Sequence, residues 1–158
     1  MLKITPFLWF DTQAEEAAKF YVSVFKNSQI LSVTRFKDAG PGQNEKVTVV
    51  EFVLDGQKVT ALNGGPHFKL TEAFSFRVTC DTQEEVDRLW DTLTDGGEES
   101  MCGWLKDKFG LSWQIAPTAL IKLMGDPDPK KSKAVMSALL QMRKIDIAEL
   151  QRAYDSAD

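Results

Sequence analysis

A single histidine, His67, and two cysteines, Cys80 and Cys102, are the whole supply of imidazole and thiol groups in this 158-residue chain. A Ser-His-Asp or Cys-His arrangement would have to pass through His67, which follows Asn63-Gly-Gly-Pro66 in a connection and reads as a solvated loop residue. Cys102 reads as a small buried hydrophobe rather than a reactive thiol. A turn that cradles a nucleotide needs a strand, a glycine-rich turn and a helix, in that order. The first glycine is Gly40, and both Ala39-Gly-Pro-Gly42 and Asn63-Gly-Gly-Pro66 lie between expected strands. Aromatic side chains are abundant: Trp9, Trp90, Trp104 and Trp113 accompany ten phenylalanines. That supply suits a core, and it also suits a cleft for flat organic molecules.

Nineteen Lys and Arg against 23 Asp and Glu set the net charge at -4. The chain as a whole therefore does not attract phosphate backbones, and nucleic acid is not an expected partner. Lys130, Lys131 and Lys133 fall in a helical pattern and read as a solvated face. No apolar run approaches the roughly 20 residues that span a bilayer, so no membrane association is expected. The start, Met1 to Pro6, lacks the apolar stretch and cleavage site of a secretory signal. Two cysteines are too few for a disulfide scaffold, and a cytoplasmic protein with reduced thiols is expected.

The elements that must position these residues are written twice. Asp11-Thr12-Gln13-Ala14-Glu15-Glu16 reappears, one residue shorter, as Asp81-Thr82-Gln83-Glu84-Glu85, and apolar runs precede both copies, Ile4 to Phe10 and Phe74 to Cys80. Thr12 with Glu15, and Thr82 with Glu85, have the spacing in which a hydroxyl and a carboxylate satisfy open backbone donors, which predicts a helix start at each. Ala14, Ala17, Ala18, Tyr21, Val24 and Phe25 then recur on one helical face, as do Val86, Leu89, Trp90 and Leu93.

Strands follow each helix. The first copy predicts Ile30 to Phe36, Lys46 to Leu54 and Lys58 to Asn63, separated by a loop over 38–44 and an Asp55-Gly56 hairpin turn. The second predicts a strand near Glu99 to Lys106, a further short one near Glu98 to Met101, a turn over 107–110, and Leu111 to Ala116. Beyond Pro117 the pattern is helical: Thr118 to Met124, then Pro129 to Met142 with Val135, Met136, Leu139 and Leu140 on one face, then a helix from Asp146 with Ile147, Leu150 and Tyr154 apolar.

A βαβββ unit written twice between Leu2 and Pro117 resembles the vicinal oxygen chelate superfamily of glyoxalases, extradiol dioxygenases and bleomycin-resistance proteins. Within it, Pro6-Phe-Leu-Trp-Phe10, Glu15-Glu-Ala-Ala-Lys-Phe-Tyr21, Cys102-Gly-Trp-Leu-Lys-Asp107 and Gly110-Leu-Ser-Trp-Gln114 are similar to the PhnB-like branch. That branch often carries the label 3-demethylubiquinone-9 3-methyltransferase. Gly125-Asp-Pro-Asp-Pro129 is similar to the tail of one subgroup. The resemblance implies an α+β fold of two tandem βαβββ modules, 1–66 and 67–117, with a C-terminal helical tail over 118–158, all in one compact domain. The curved sheets are expected to face each other around a cleft.

Catalytic members of the superfamily hold a divalent ion with His, Glu or Gln on the first and last strands of each module. Alternation groups Ile4, Pro6, Leu8 and Phe10 on one side of the first strand, and Phe74, Phe76, Val78 and Cys80 on the matching side in the second copy. None binds a hard cation. The last strand of the first module presents either Val59, Ala61 and Asn63 or Lys58, Thr60 and Leu62, depending on register. Gln114 falls where the family's carboxylate ligand would be, and one amide is not a metal site. With Gln114 turned inward, Ser112 follows and Trp113 packs against a helix; the resemblance also turns Cys102 and Trp104 inward.

The expected ligand-lining set is Leu8, Phe10, Asn63, Phe74, Phe76, Cys102, Trp104 and Gln114, with no metal and no cofactor. The expected function is a small-molecule-binding protein that takes an aromatic or amphipathic ligand in an apolar cleft and works as a homodimer. The alternatives are an enzyme of the same superfamily, of lyase or dioxygenase type and with or without a metal, and last, since no glycine turn fits, a methyltransferase.

Overall fold

Each Asp-Thr-Gln segment ends a strand and starts a helix, and that helix lies across the sheet built by the strands that follow. The computed structural model describes residues 2–37 and 47–157. The loop expected over 38–44, with Gly40 and Gly42, lies outside the described residues, as does Lys46 at the start of its strand. The chain forms two compact units, Met1–Leu70 and Thr71–Asp158, each built on one βαβββ module. The α+β fold of two tandem modules is therefore observed, and the helical tail belongs to the second unit.

In the first unit β1 (Phe7–Phe10), α1 (Ala14–Val24), β2 (Gln29–Phe36), β3 (Val47–Leu54) and β4 (Gln57–Asn63) follow in order. The sheet runs β1-β4-β3-β2, with β1 parallel to β4 and the other pairs antiparallel. Asp55 and Gly56, with φ of 46° and 81°, make the tight reversal between β3 and β4. α1 buries Ala14, Ala17, Ala18, Tyr21 and Val24 on one stripe. The alanines let its backbone approach the sheet, and Tyr21 meets Phe52 at 6.4 Å between ring centres.

The two helix starts differ although their sequences match. In the second copy Thr82 is the cap: its hydroxyl accepts from the Glu85 N–H at 3.2 Å, and the Glu85 carboxylate accepts from the Asp81 N–H at 3.1 Å. In the first copy the extra residue moves the cap to Gln13, whose side chain makes no capping bond. The open Ala14 N–H is taken instead by Asn63 Oδ1 at 2.7 Å, and Glu15 pairs with Arg35. The expected box of Thr12 and Glu15 does not form, because the end of β4 supplies the acceptor.

The second unit contains β5 (Ser75–Cys80), α2 (Gln83–Thr94), β6 (Glu98–Glu99), β7 (Trp104–Lys106) and β8 (Ser112–Pro117), in sheet order β5-β8-β7-β6. The strand expected over 99–106 is broken into β6 and β7. Cys102 and Gly103 adopt positive φ of 61° and 84° there. A Cβ on Gly103 would lie 2.9 Å from the Ile115 carbonyl oxygen, so this turn is closed to other residues.

The tail forms α3 (Thr118–Met124), α4 (Pro129–Leu139) and α5 (Ile147–Asp155) around Leu123, Val135, Leu139, Ile145 and Leu150. Of the stripe expected on α4, Val135 and Leu139 are buried while Met136 and Leu140 are exposed. One helical step rotates a side chain by roughly 100°, and the single row at 135 and 139 suffices to seal the contact. The Gln83 amide fastens the tail to the module: it donates to the Ile145 carbonyl at 3.0 Å and accepts from the Ile147 N–H at 2.9 Å. No helix among the described residues is long and apolar enough to cross a membrane.

Candidate functional site

Each helix covers one side of its sheet, so a ligand that docks on a sheet has only the other side available. In the first unit the register pairs Leu8 with Ala61, Phe10 with Asn63 and Val50 with Ala61. These residues share the side on which Phe52 meets Tyr21 and Asn63 caps Ala14. Leu8 and Phe10 are 2% and 4% exposed, which makes them core residues beneath α1. The expectation that Leu8, Phe10 and Asn63 line a ligand surface is corrected by one residue of register. Phe7-Leu8-Trp9-Phe10 is apolar on both sides, so alternation cannot say which side receives the helix. The side away from α1 carries Phe7, Trp9, Thr60 and Leu62. Trp9 donates to the Gly65 carbonyl at 3.0 Å, meets Phe68 edge-on, and lies so close over Gly64 that no Cβ fits there. His67 is exposed in the same unit.

In the second unit the Trp90 indole N–H donates to Glu99 Oε1 at 2.9 Å, which puts α2 on the side of Glu99 and its register partner Leu105. Trp113, Phe76, Ile115, Val78 and Cys80 follow on that side. Phe76 packs against Trp113 at 5.3 Å and is therefore removed from the ligand set; Phe74, just before β5, stacks edge-on to Phe76 at 5.1 Å. Cys80 is fully buried, and that burial pushes its thiol up to about 11. Cys102 leaves the sheet, packs on the tail cluster and donates its N–H to the Met142 carbonyl. It too is removed from the expected surface.

Trp104 and Gln114 do stand together. They are register partners on the side away from α2, with Ser75, Arg77, Lys106 and Ser112. Gln114 Nε2 donates to Ser75 Oγ at 2.9 Å. A cavity of about 110 Å³ opens here, lined by Glu72, Trp104, Lys106 and Ser112 and by the β6 end of the sheet, where Glu98, Ser100 and also Glu99 and Leu105 border it. Lys106 pairs with Glu72. Their hydrogen bond holds the Glu72 carboxyl below its ordinary 4.5 and Lys106 above its ordinary 10.5, so both are charged at neutral pH. Ser112 is 1% exposed, and its hydroxyl has no hydrogen-bond partner among the described residues. A buried polar group left in that state costs about 1–3 kcal/mol. Ser112 was legible from the alternation Ser112-Trp113-Gln114. The pairing of Glu72, in a loop, with Lys106, on a distant strand, had no local signal.

Divalent-ion chemistry of the superfamily kind would need carboxylate or imidazole donors on the first and last strands of each module, β1 and β4, β5 and β8. On the sides away from the helices those strands carry Phe7, Trp9, Thr60 and Leu62 in the first unit, and Ser75, Arg77, Thr79, Ser112 and Gln114 in the second. Among the described residues no three His, Cys, Asp or Glu side chains are grouped to hold a metal ion. This donor set does not fit a divalent cation.

Residues 2–116 match the family described as 3-demethylubiquinone-9 3-methyltransferase. Among solved structures, a PhnB protein of Bacillus cereus is 37% identical with a TM-score of 0.66, over 74% of this chain and 100% of its own. A Pseudomonas aeruginosa protein is 20% identical, with a TM-score of 0.61 over 74% of this chain and 98% of its own. The fosfomycin resistance protein FosX of Mesorhizobium loti is 12% identical, with a TM-score of 0.50 over 72% and 90%, and is similar in fold. No curated protein matches the chain in sequence at a significant level.

Proposed function

Because the chain belongs to the 3-demethylubiquinone-9 3-methyltransferase family, the PhnB-like branch of the vicinal oxygen chelate superfamily, we propose that it is a small-molecule-binding protein. It holds an aromatic or amphipathic ligand on the side of its second sheet away from α2. The observation that carries this reading is Ser112, a buried hydroxyl without a partner among the described residues, which lines a cavity beside the indole of Trp104, the register partner of Gln114. Trp104 supplies flat apolar surface, while the hydroxyl and amide orient what lies on it.

Binding here uses no metal, since β5 and β8 present hydroxyls, one amide and the Arg77 guanidinium where a cation needs charged oxygen donors. Stoichiometric nickel, zinc, iron or manganese in purified protein would overturn that part. Methyl transfer, the activity in the family's name, draws no support from the chain: neither strand-to-helix turn, Asp11-Thr12-Gln13 or Asp81-Thr82, contains glycine. The protein works in the cytoplasm as a homodimer. Exposed Leu2, Ile4, Phe7, Met136 and Leu140 are apolar surface of the kind a second copy covers, and light scattering of a monomer at micromolar concentration would remove the dimer.

Untargeted mass spectrometry of small molecules released from the purified protein tests the central reading. A recurrent aromatic compound that is lost with Trp104→Ala is the expected result. A protein that releases none, and binds none from a library of aromatic compounds, would refute it.

A further inference from the structure

The same side of the second sheet also bears on the charge of what it binds. We infer that the ligand is an organic cation, a small primary or secondary amine carried on an apolar or aromatic body; this rests on the reading of that side as the binding surface. Glu72, Glu98, Glu99 and Lys106 line the cavity with charge. Glu98 is the register partner of Lys106 and so shares its side, whereas the Glu99 carboxylate at the cavity's edge is already engaged, accepting the Trp90 indole N–H and lying 3.8 Å from Arg143.

Lys106 is already engaged by Glu72. Glu98 makes no hydrogen bond or close ion pair among the described residues and acts on the same Lys106 only at longer range, so two carboxylates share one ammonium and the cavity that Ser112 lines keeps a net negative charge. Arg77 is a cation on the same side, but it sits beside Gln114 on β5 and does not line the cavity. An ammonium group placed here donates to Ser112 Oγ, giving the hydroxyl its missing partner. It also gives Glu98 a counter-ion and Trp104 a cation to face. An anion in the same space would meet three carboxylates and would have to take Lys106 from Glu72.

Benzylamine is the probe, with benzoate and benzyl alcohol as anionic and neutral controls of similar shape. Binding is read from the indole N–H resonance of Trp104, assigned by its loss in Trp104→Phe. Benzylamine is expected to shift that resonance saturably, with affinity weakened roughly two- to fivefold by Glu98→Gln and by Ser112→Ala, and unchanged by Glu84→Gln on the exposed surface of α2. Benzoate binding as tightly as benzylamine would overturn the charge assignment while leaving the binding surface in place. If none of the three compounds moves the Trp104 resonance, the surface and the charge assignment fall together.

Discussion

Asp107 accepts the indole N–H of Trp113 at 2.9 Å across the turn that leads into β8. Its other carboxylate oxygen takes the N–H groups of Phe109 and Leu111, at 2.8 and 3.1 Å. The residue is 3% exposed, and these three donors replace the water it has lost. Trp113 is thereby pinned into the core, and Ser112 and Gln114 are turned to the opposite side.

Asp107→Ala should leave those donors unpaired and cost about 2–4 kcal/mol of unfolding free energy in urea denaturation. Asp107→Asn keeps one acceptor but can turn an amide N–H toward the Trp113 N–H, so it should fall between wild type and Ala. An alanine variant as stable as wild type would mean that water replaces all three bonds.

The matched helix starts predict unmatched costs. Thr82→Ala removes a working cap and should lose about 1 kcal/mol, whereas Thr12→Ala should be near neutral. Asn63→Ala should lose about as much as Thr82→Ala, because it strips the acceptor from Ala14. Equal losses at Thr12 and Thr82 would show that the repeat caps both helices alike in solution.

Ser112→Ala should raise stability by roughly 1 kcal/mol in the absence of ligand, since it deletes an unpaired buried hydroxyl. The same variant should bind ligand less well, the trade expected of a position kept for function. A lower melting temperature for the ligand-free variant would show that the hydroxyl has a partner in the free protein.

The Tyr154 hydroxyl donates to Asp126 Oδ2 at 2.6 Å and ties α5 to the connection between α3 and α4. That bond, followed by the Asp128 backbone N–H, holds the Asp126 carboxyl below its ordinary 3.8, and the same bond raises Tyr154 above its ordinary 10.0. The depressed carboxyl contributes stability that is present above pH 3.8 and lost as pH falls through its folded value. The raised phenol contributes stability that is present below pH 10.0 and lost as pH rises through its folded value. Tyr154→Phe should therefore lower the melting temperature between these limits, and its difference from wild type should shrink in acid. Calorimetry that finds the same difference at neutral pH and well below pH 3.8 would sink this account.

The two sides of each sheet were only partly legible in the chain. Ser112-Trp113-Gln114-Ile115 alternates polar and apolar, so the side of β8 that faces away from the helix could be read, whereas Trp104 was turned inward only by the family resemblance and its pairing with Gln114 came from the tertiary structure. Phe7-Leu8-Trp9-Phe10 and Phe74 to Cys80 gave no such contrast. Their side chains fall into two sets by alternation, but only the packing of α1 and α2 decides which set is buried.

By itself the sequence determined the order of elements, the two-fold repeat, the Asp55-Gly56 reversal and the tail helices, because each rests on contacts within a few residues. Tertiary structure decided what depends on distant partners: Asn63 capping α1 in place of Thr12, Gln83 holding the entry to α5, and Glu72 meeting Lys106. It also decided that Ser112 would be buried without a partner among the described residues, since the lack of a bond is a property of every neighbour at once and no local spacing encodes it.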